Sequence, residues 1–132
     1  MSSESVFHVE RDGPTLIVTP RMNVSRLADE AVETELHEMQ NAFQQAQVKN
    51  LVIDFGRISY FGSSMLEAMR SLGTHVRAAG GKMAVCNAAP VCREILHVAR
   101  FDTLWPLLDS RAEALASVQD HQPPGPPAPP VR

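Results

Sequence analysis

The sequence predicts an α/β fold with a mixed, mainly parallel sheet of about five strands and four helices, in the order β-β-α-β-α-β-α-β-α. Two observations indicate it. Short apolar runs bounded by turn residues alternate along the chain with longer segments of helical periodicity, and this alternation is typical of parallel strands joined by helices. Only the first two apolar runs are separated by a tight turn, at "DG". The first pair of strands is therefore predicted to be the antiparallel one.

The N-terminal third contains two strands and a helix. "VFHVE" alternates apolar and polar residues with the period of a strand, and "PTLIVTP" forms the second strand of the hairpin and ends near Pro20. The next segment repeats apolar residues at intervals of three and four, which indicates one buried helical face. Ser25 is its predicted N-cap, with Asp29 and Glu30 early in the helix, where its dipole favours acids.

The remaining strands and helices follow in alternation. "NLVIDFGRI" is continuously apolar and predicts a central strand, after which Met65 lies on the inner face of a second helix that stops at Gly80 and Gly81. "KMAVC" is another buried strand, and Pro90 suits the first turn of a short helix. "TLWPLL" is an edge strand because it contains a proline, and Ser110 is the N-cap of the last helix, with Glu113 at capping-box spacing.

Length and composition predict one domain and a tail. The chain of 132 residues is 44% hydrophobic, which is enough for one buried core. Its end, "DHQPPGPPAPPVR", holds six of the ten prolines. Residues 1–118 are therefore predicted to fold as one domain, and residues 119–132 to be a disordered, proline-rich tail.

Charge and composition argue against several classes of function. The net charge is −3 and no long basic cluster occurs, so a nucleic-acid footprint is not expected. No apolar run is long enough to span a membrane and the N-terminus does not resemble a signal peptide, so we expect a cytoplasmic protein without membrane insertion. Cys86 and Cys92 are interpreted as buried or half-buried thiols.

No chemistry-bearing set of residues stands out. The histidines are scattered, and no triad, acid–base pair or metal-ligand spacing appears, so we predict no enzyme activity, no catalytic residue, no metal and no cofactor. Asp54 ends the third strand and is interpreted as a strand-end aspartate that binds loop amides. A receiver domain is disfavoured because the acids that it would need after the first strand, Glu10 and Asp12, lie on a hairpin instead.

The stretch "ISYFGSSMLEAM" is the most informative part of the sequence. Ser64 and Glu67 have the S-x-x-E spacing of a capping box, so Ser64 is predicted to be the N-cap of the second helix. The same position suits phosphorylation, because the helix dipole favours an added negative charge there. A nucleophilic role is disfavoured because Leu66 breaks the G-x-S-x-G pattern.

Three segments together resemble the STAS domain family, which includes the bacterial anti-anti-sigma factors. They are "TLIVTPRMNV", "NLVIDFGRISYFGSSMLEAM" and "AAGGKMAVCNAAPVCREILHVARFDTLWPLLDSRAEAL", and the resemblance covers about residues 5 to 118. It implies an interaction module that acts as an anti-sigma factor antagonist. The implied partner is an anti-sigma factor that is also a serine protein kinase and phosphorylates the second hydroxyl of the serine turn, here Ser64.

The resemblance also implies a surface for the partner, formed by Asn23, Gly62, Ser63, Ser64, Met65 and Arg70. Three of these positions differ from the family pattern. Gly62 and Asn23 stand where the family commonly has aspartates, and Met65 stands where it has glycine.

Two alternatives remain open. Gly62 and Asn23 favour, more than in a typical family member, a constitutive scaffold subunit of a signalling or transporter complex that has no phosphorylation switch. A small-ligand or nucleotide sensor is the other alternative, and ligand-dependent stabilisation would reveal it.

Overall fold

A computed structural model describes residues 7–21, 30–44 and 48–119, with the side chains of residues 30–33, Ser63 and Ser64 left out of that description. The strands are Phe7–Asp12 (β1), Thr15–Pro20 (β2), Asn50–Asp54 (β3), Met83–Cys86 (β4) and Leu107–Leu108 (β5). The helices are Glu30–Ala42 (α1), Ser63–Ala78 (α2), Pro90–Val98 (α3) and Arg111–Val118 (α4), with a 3₁₀ turn at Phe101–Thr103. The predicted order of elements is confirmed.

The five strands form one sheet in the order β1-β2-β3-β4-β5. β1 and β2 are antiparallel, and their turn includes Gly13 at a positive φ of 61°, which glycine adopts without strain. The other neighbouring strands pair in parallel. The predicted mixed, mainly parallel sheet is therefore confirmed, and β5, which follows Pro106, forms one edge as the proline indicated.

The three central strands β2, β3 and β4 are buried on both faces, as their apolar sequences require. On one face, side chains such as Leu51 and Ile53 pack with apolar residues of α1, α2 and α3 in one large core. On the other face, Val52 and Ala84 pack beneath α4, which contributes Ala114 to a smaller core. Successive residues of a strand point to opposite faces of the sheet. One set packs against α4, and the other set packs against α1, α2 and α3.

Several helix ends follow their sequence signals. Gly80 has a φ of 77° and follows the C-cap residue of α2, and α3 begins at Pro90. The Ser110 hydroxyl accepts a hydrogen bond of 3.1 Å from the backbone N–H of Glu113, so Ser110 is the N-cap of α4 as predicted. The Glu113 carboxylate accepts from the N–H of Asp109, one residue before the residue that a capping box would use.

The predicted N-cap of the first helix, Ser25, and Asp29 after it lie outside the described residues. The proline-rich segment from residue 120 onward does too, so the division into domain and tail stays a prediction.

Candidate functional site

Parallel strands bring the ends of β3 and β4 to the same edge of the sheet, which we call the carboxyl edge. The segment between β3 and α2 projects from this edge. We call residues 55–64 the serine turn, because they end in Ser63 and Ser64. The first turns of α2 and α3 begin at this edge.

The start of α2 differs from its prediction. The N-cap is Gly62, so Ser63 and Ser64 are the first and second residues of the helix, and the predicted capping box of Ser64 with Glu67 is wrong. The Gly62 carbonyl accepts from the N–H of Met65, whose side chain is fully buried in the core. Glycine is also an acceptable N-cap residue, so beginning the helix at Ser63 costs only about a few tenths of a kcal/mol relative to a serine cap.

Two aromatic side chains fix the serine turn from within. Phe55 and Phe61, near its two ends, are both fully buried, and their rings stack with centroids 4.9 Å apart. Ile58, between them, is 8% exposed, and its N–H donates to the carbonyl of Phe55. The turn is therefore anchored by its own apolar residues.

Tyr60 is the exception in this apolar set. It lies between buried residues of the turn and is 48% exposed, one of a small number of large hydrophobic side chains exposed to this degree in the described residues. Ile58 and Phe61 are buried on either side of Tyr60, so its backbone is held in place and its ring lies on the surface beside the start of α2.

Asp54 fixes the base of the turn. Its Oδ1 accepts hydrogen bonds from the backbone N–H of Gly56 at 2.9 Å and from Nδ2 of Asn87 at 3.1 Å. The interpretation of Asp54 as a strand-end aspartate that binds loop amides is confirmed. Asn87 follows β4 with a positive φ of 60°, a conformation that asparagine tolerates better than most residues.

Arg111, the first residue of α4, binds the second oxygen of Asp54. Its Nε lies 3.1 Å from Oδ2 of Asp54, and its Nη1 lies 3.2 and 3.3 Å from the two carboxylate oxygens of Glu10. Burial lowers the pKa of Arg111, but the hydrogen bonds to Asp54 and Glu10 outweigh it, and the pKa rises above its usual value. The guanidinium therefore stays charged within this network.

Cys86 ends β4 beside this network and is fully buried. Burial, followed by the nearby charge of Asp54, raises the pKa of its thiol to about 12. A thiol with this pKa is protonated at neutral pH and is a poor nucleophile. Cys92 is also free and buried, and it lies in the core on the opposite face of the sheet. The prediction of two buried or half-buried thiols is therefore confirmed.

The predicted site residues fall into three groups. Gly62, Ser63 and Ser64 are contiguous at the start of α2, and Arg70 is exposed farther along the same helix, with its guanidinium carbon 5.2 Å from the ring centroid of Phe101. Met65 was wrongly included as a contact residue, because its side chain is buried and belongs to the core. Asn23 lies outside the described residues.

Sequence reasoning missed Tyr60, Asn87 and Arg111 as site residues. The sequence did contain a signal for Tyr60. It is directly next to Phe61 in a short turn, where the side chains of two adjacent residues point in different directions, so burial of Phe61 leaves Tyr60 exposed. No local signal was available for Arg111, because it is far from Asp54 in sequence.

The described segments contain neither a cluster of metal ligands nor a membrane-spanning helix. No group of three or more histidine, cysteine, aspartate or glutamate side chains that could hold a metal ion occurs there. No helix within those segments is long and apolar enough to cross a membrane.

The fold and this edge together define a small α/β domain in which a serine pair opens a helix beside the ends of parallel strands. The chain belongs to the STAS domain family, whose model matches residues 7–114. The sequence resemblance to this family is thereby confirmed.

Known proteins of similar sequence carry regulatory names. The chain is 28% identical over 69 residues to BtrV of Bordetella bronchiseptica, which is described as a candidate anti-sigma factor antagonist. This match covers 52% of the chain and 60% of BtrV, so it spans less than two thirds of the relative.

Solved structures show the same fold. The structure of an anti-sigma factor antagonist (STAS) domain protein from Planctomyces limnophilus is 26% identical, with a TM-score of 0.69 and coverage of 84% of this chain and 96% of that one. The anti-sigma factor antagonist SpoIIAA in its unphosphorylated form is 20% identical, with a TM-score of 0.69 and coverage of 84% and 94%. SpoIIAA of Bacillus is also known in a phosphorylated form, which is similar to this chain with a TM-score of 0.67.

Proposed function

We propose that this chain is a non-catalytic binding module that acts as an anti-sigma factor antagonist. In this role it binds an anti-sigma factor through the serine turn and so releases the sigma factor. The observation that carries the proposal is the turn itself, which is anchored by Phe55, Phe61 and Asp54 and yet presents Tyr60 to solvent. The names of its sequence relatives support the same class of function.

Ser64 is the proposed switch. As the second residue of α2, it lies where the backbone N–H groups lack partners within the helix and where the helix dipole is positive. A phosphate there is compatible with the folded helix and changes its surface charge by about −1.5 to −2. We propose that the anti-sigma factor is the serine kinase that adds this phosphate, and that the modified chain no longer binds it.

A constitutive scaffold is the second candidate function. The N-cap of α2 is Gly62, which has no side chain, so the turn lacks the carboxylate that the family pattern has at this position. If a kinase needs that carboxylate for recognition, the chain binds its partner without being phosphorylated. Binding with no modification of Ser64 distinguishes this function from the first.

Tyr60→Ala is expected to weaken binding of the anti-sigma factor by about thirtyfold or more, the loss of about 2 kcal/mol that defines an interface hot spot. A tyrosine held by an anchored turn loses little conformational entropy on binding, so its buried area contributes efficiently. Titration calorimetry against the anti-sigma factors encoded in the same genome measures the change.

Val98→Ala is the matched control. Val98 is 73% exposed at the end of α3, away from the start of α2 and the carboxyl edge, and its truncation should leave the affinity unchanged. Equal affinities of the Tyr60→Ala variant and the wild type would exclude the serine turn as the docking surface.

A further inference from the structure

We propose that Arg111 is a positioning residue for the serine turn and acts on it through Asp54. The effect on the turn stands on the geometry alone, whereas its consequence for partner binding rests on the proposed function. Arg111 belongs to α4, on the face of the sheet opposite α2. Arg111 would therefore couple the helix on one face of the sheet to the proposed docking surface at the start of α2.

Arg111 contacts Asp54 directly. The Asp54 side chain is 10% exposed, and its two oxygens have different partners. Oδ1 accepts from Gly56 of the serine turn, whereas Oδ2 accepts from Nε of Arg111. The carboxylate thus joins the arginine directly to the base of the turn.

Arg111 is itself held by side chains of two further strands. Its Nη1 binds the Glu10 carboxylate of β1, and its Nη2 donates to the Thr19 hydroxyl of β2 at 3.3 Å. Each guanidinium nitrogen therefore has a partner on a different strand. A planar, forked guanidinium can make these contacts together, whereas a lysine ammonium is a single point charge.

Removal of the Arg111 cation would leave Asp54 without its charged partner. A carboxylate that is mostly withdrawn from water needs a partner for its charge. Without Arg111, Asp54 gains hydration by rotating toward solvent, and the rotation takes its Oδ1 away from Gly56 and Asn87. The base of the turn then loses both of its polar contacts to this side chain.

Substitution of Arg111 by methionine tests the proposal, because methionine keeps an unbranched apolar stem at this position and removes the guanidinium group with its charge. In ¹⁵N NMR spectra, we expect the backbone amide of Gly56 and the side-chain amide of Asn87 to shift. We also expect the Gly56 amide to exchange about tenfold faster, as for the loss of one charge-assisted hydrogen bond.

Two controls separate positioning from general stability. Arg93→Met removes an ion pair of 2.8 Å with Asp109 near the same edge and should leave both amide signals as in the wild type. Ala114→Gly destabilises α4 and its packing without touching Asp54, and it should also leave them unchanged. If Arg111→Met fails to fold, Arg111→Lys keeps the charge and is expected to show a smaller change of the same kind.

Two outcomes would overturn the positioning role. One is a Gly56 amide in the Arg111→Met protein that is as protected as in the wild type. The other is an equal loss of protection in Ala114→Gly, which would show that weaker packing of α4 is sufficient.

The affinity of the Arg111→Met protein for the anti-sigma factor gives the second readout. It should fall by about tenfold, because the partner must then order the turn when it binds. Altered amide signals with an unchanged affinity would show that binding does not depend on the positioned turn. If the wild type binds no anti-sigma factor, the proposed function fails, while the amide signals still decide the role of Arg111.

Discussion

Replacing Gly81 by alanine is expected to destabilise the domain by at least about 4 kcal/mol, a large part of the total stability of most domains. A Cβ atom at this position would lie 1.7 Å from the carbonyl oxygen of Lys49 and 2.9 Å from Oδ1 of Asn50. The first contact is with backbone, which cannot move aside as a flexible side chain can. Urea denaturation followed by circular dichroism measures the loss.

The backbone around Gly81 is fixed from several directions, and this explains the size of the expected effect. The Gly81 N–H donates to the carbonyl of Val76 at the end of α2. The next residue, Lys82, donates its N–H to Oδ1 of Asn50 and accepts from the N–H of Leu51, each at 2.9 Å. Relief of the clash therefore requires the pairing of β3 with β4 to shift.

Gly80→Ala is the matched control, one residue earlier. A Cβ at Gly80 would have no atom within 4 Å, but the φ of 77° lies in the left-handed region. Its cost should be the backbone strain alone, about 1–2 kcal/mol. Equal stabilities of the two variants would show that the close approach at Gly81 does not determine the packing of these strands.

Ser64→Asp should weaken binding of the anti-sigma factor by about a hundredfold, within the range measured for unpaired charges in interfaces. A carboxylate in the first turn of α2 interacts favourably with the helix dipole, so the free chain should be no less stable than the wild type. The loss arises because the new charge must be desolvated in the complex. Calorimetric titration measures the affinity, and thermal unfolding measures the stability.

Ser64→Asn is the control for charge, since asparagine has nearly the shape of aspartate and no charge. Its affinity should stay much closer to that of the wild type. If both substitutions weaken binding equally, the shape of the side chain matters and its charge does not. If neither does, the phosphorylation switch is contradicted.

The order of strands and helices could be predicted because burial imposes a visible pattern on the chain. The interior of β3, residues 51–53, and all of β4 are apolar since helices cover both faces of the sheet there. Local chemistry also marked several ends of elements, as at Gly80, Pro90 and Ser110. These signals depend on residues close together in sequence, and they were read correctly.

The start of α2 could not be predicted from local spacing. The pattern formed by Ser64 and Glu67 is compatible with a capping box, but the helix begins earlier, after Gly62. Phe61 and Met65, on either side of the serine pair, are both buried in the large core, and a local motif does not show this packing. Tertiary packing thus outweighed a weak local preference.

The network at the carboxyl edge could not be predicted for a different reason. Arg111 contacts Asp54 across 57 positions of the sequence and Glu10 across 101. No spacing rule connects such residues, and the contact exists only because parallel strands and the start of α4 converge at one edge. The sequence alone indicated that Ser64 lies at the start of a helix. The contacts that hold its turn in place, from Asp54 and Arg111, became visible only in the structure.

The central claim is that the serine turn binds an anti-sigma factor and that phosphorylation of Ser64 ends the binding. The most direct test incubates the chain with ATP and the kinase-type anti-sigma factor that it binds, maps the phosphate by mass spectrometry and compares the affinities of the two forms. We expect one phosphate, on Ser64, and an affinity at least about tenfold weaker in the modified form. Binding with Ser64 unmodified, or equal affinities of the two forms, would contradict the claim.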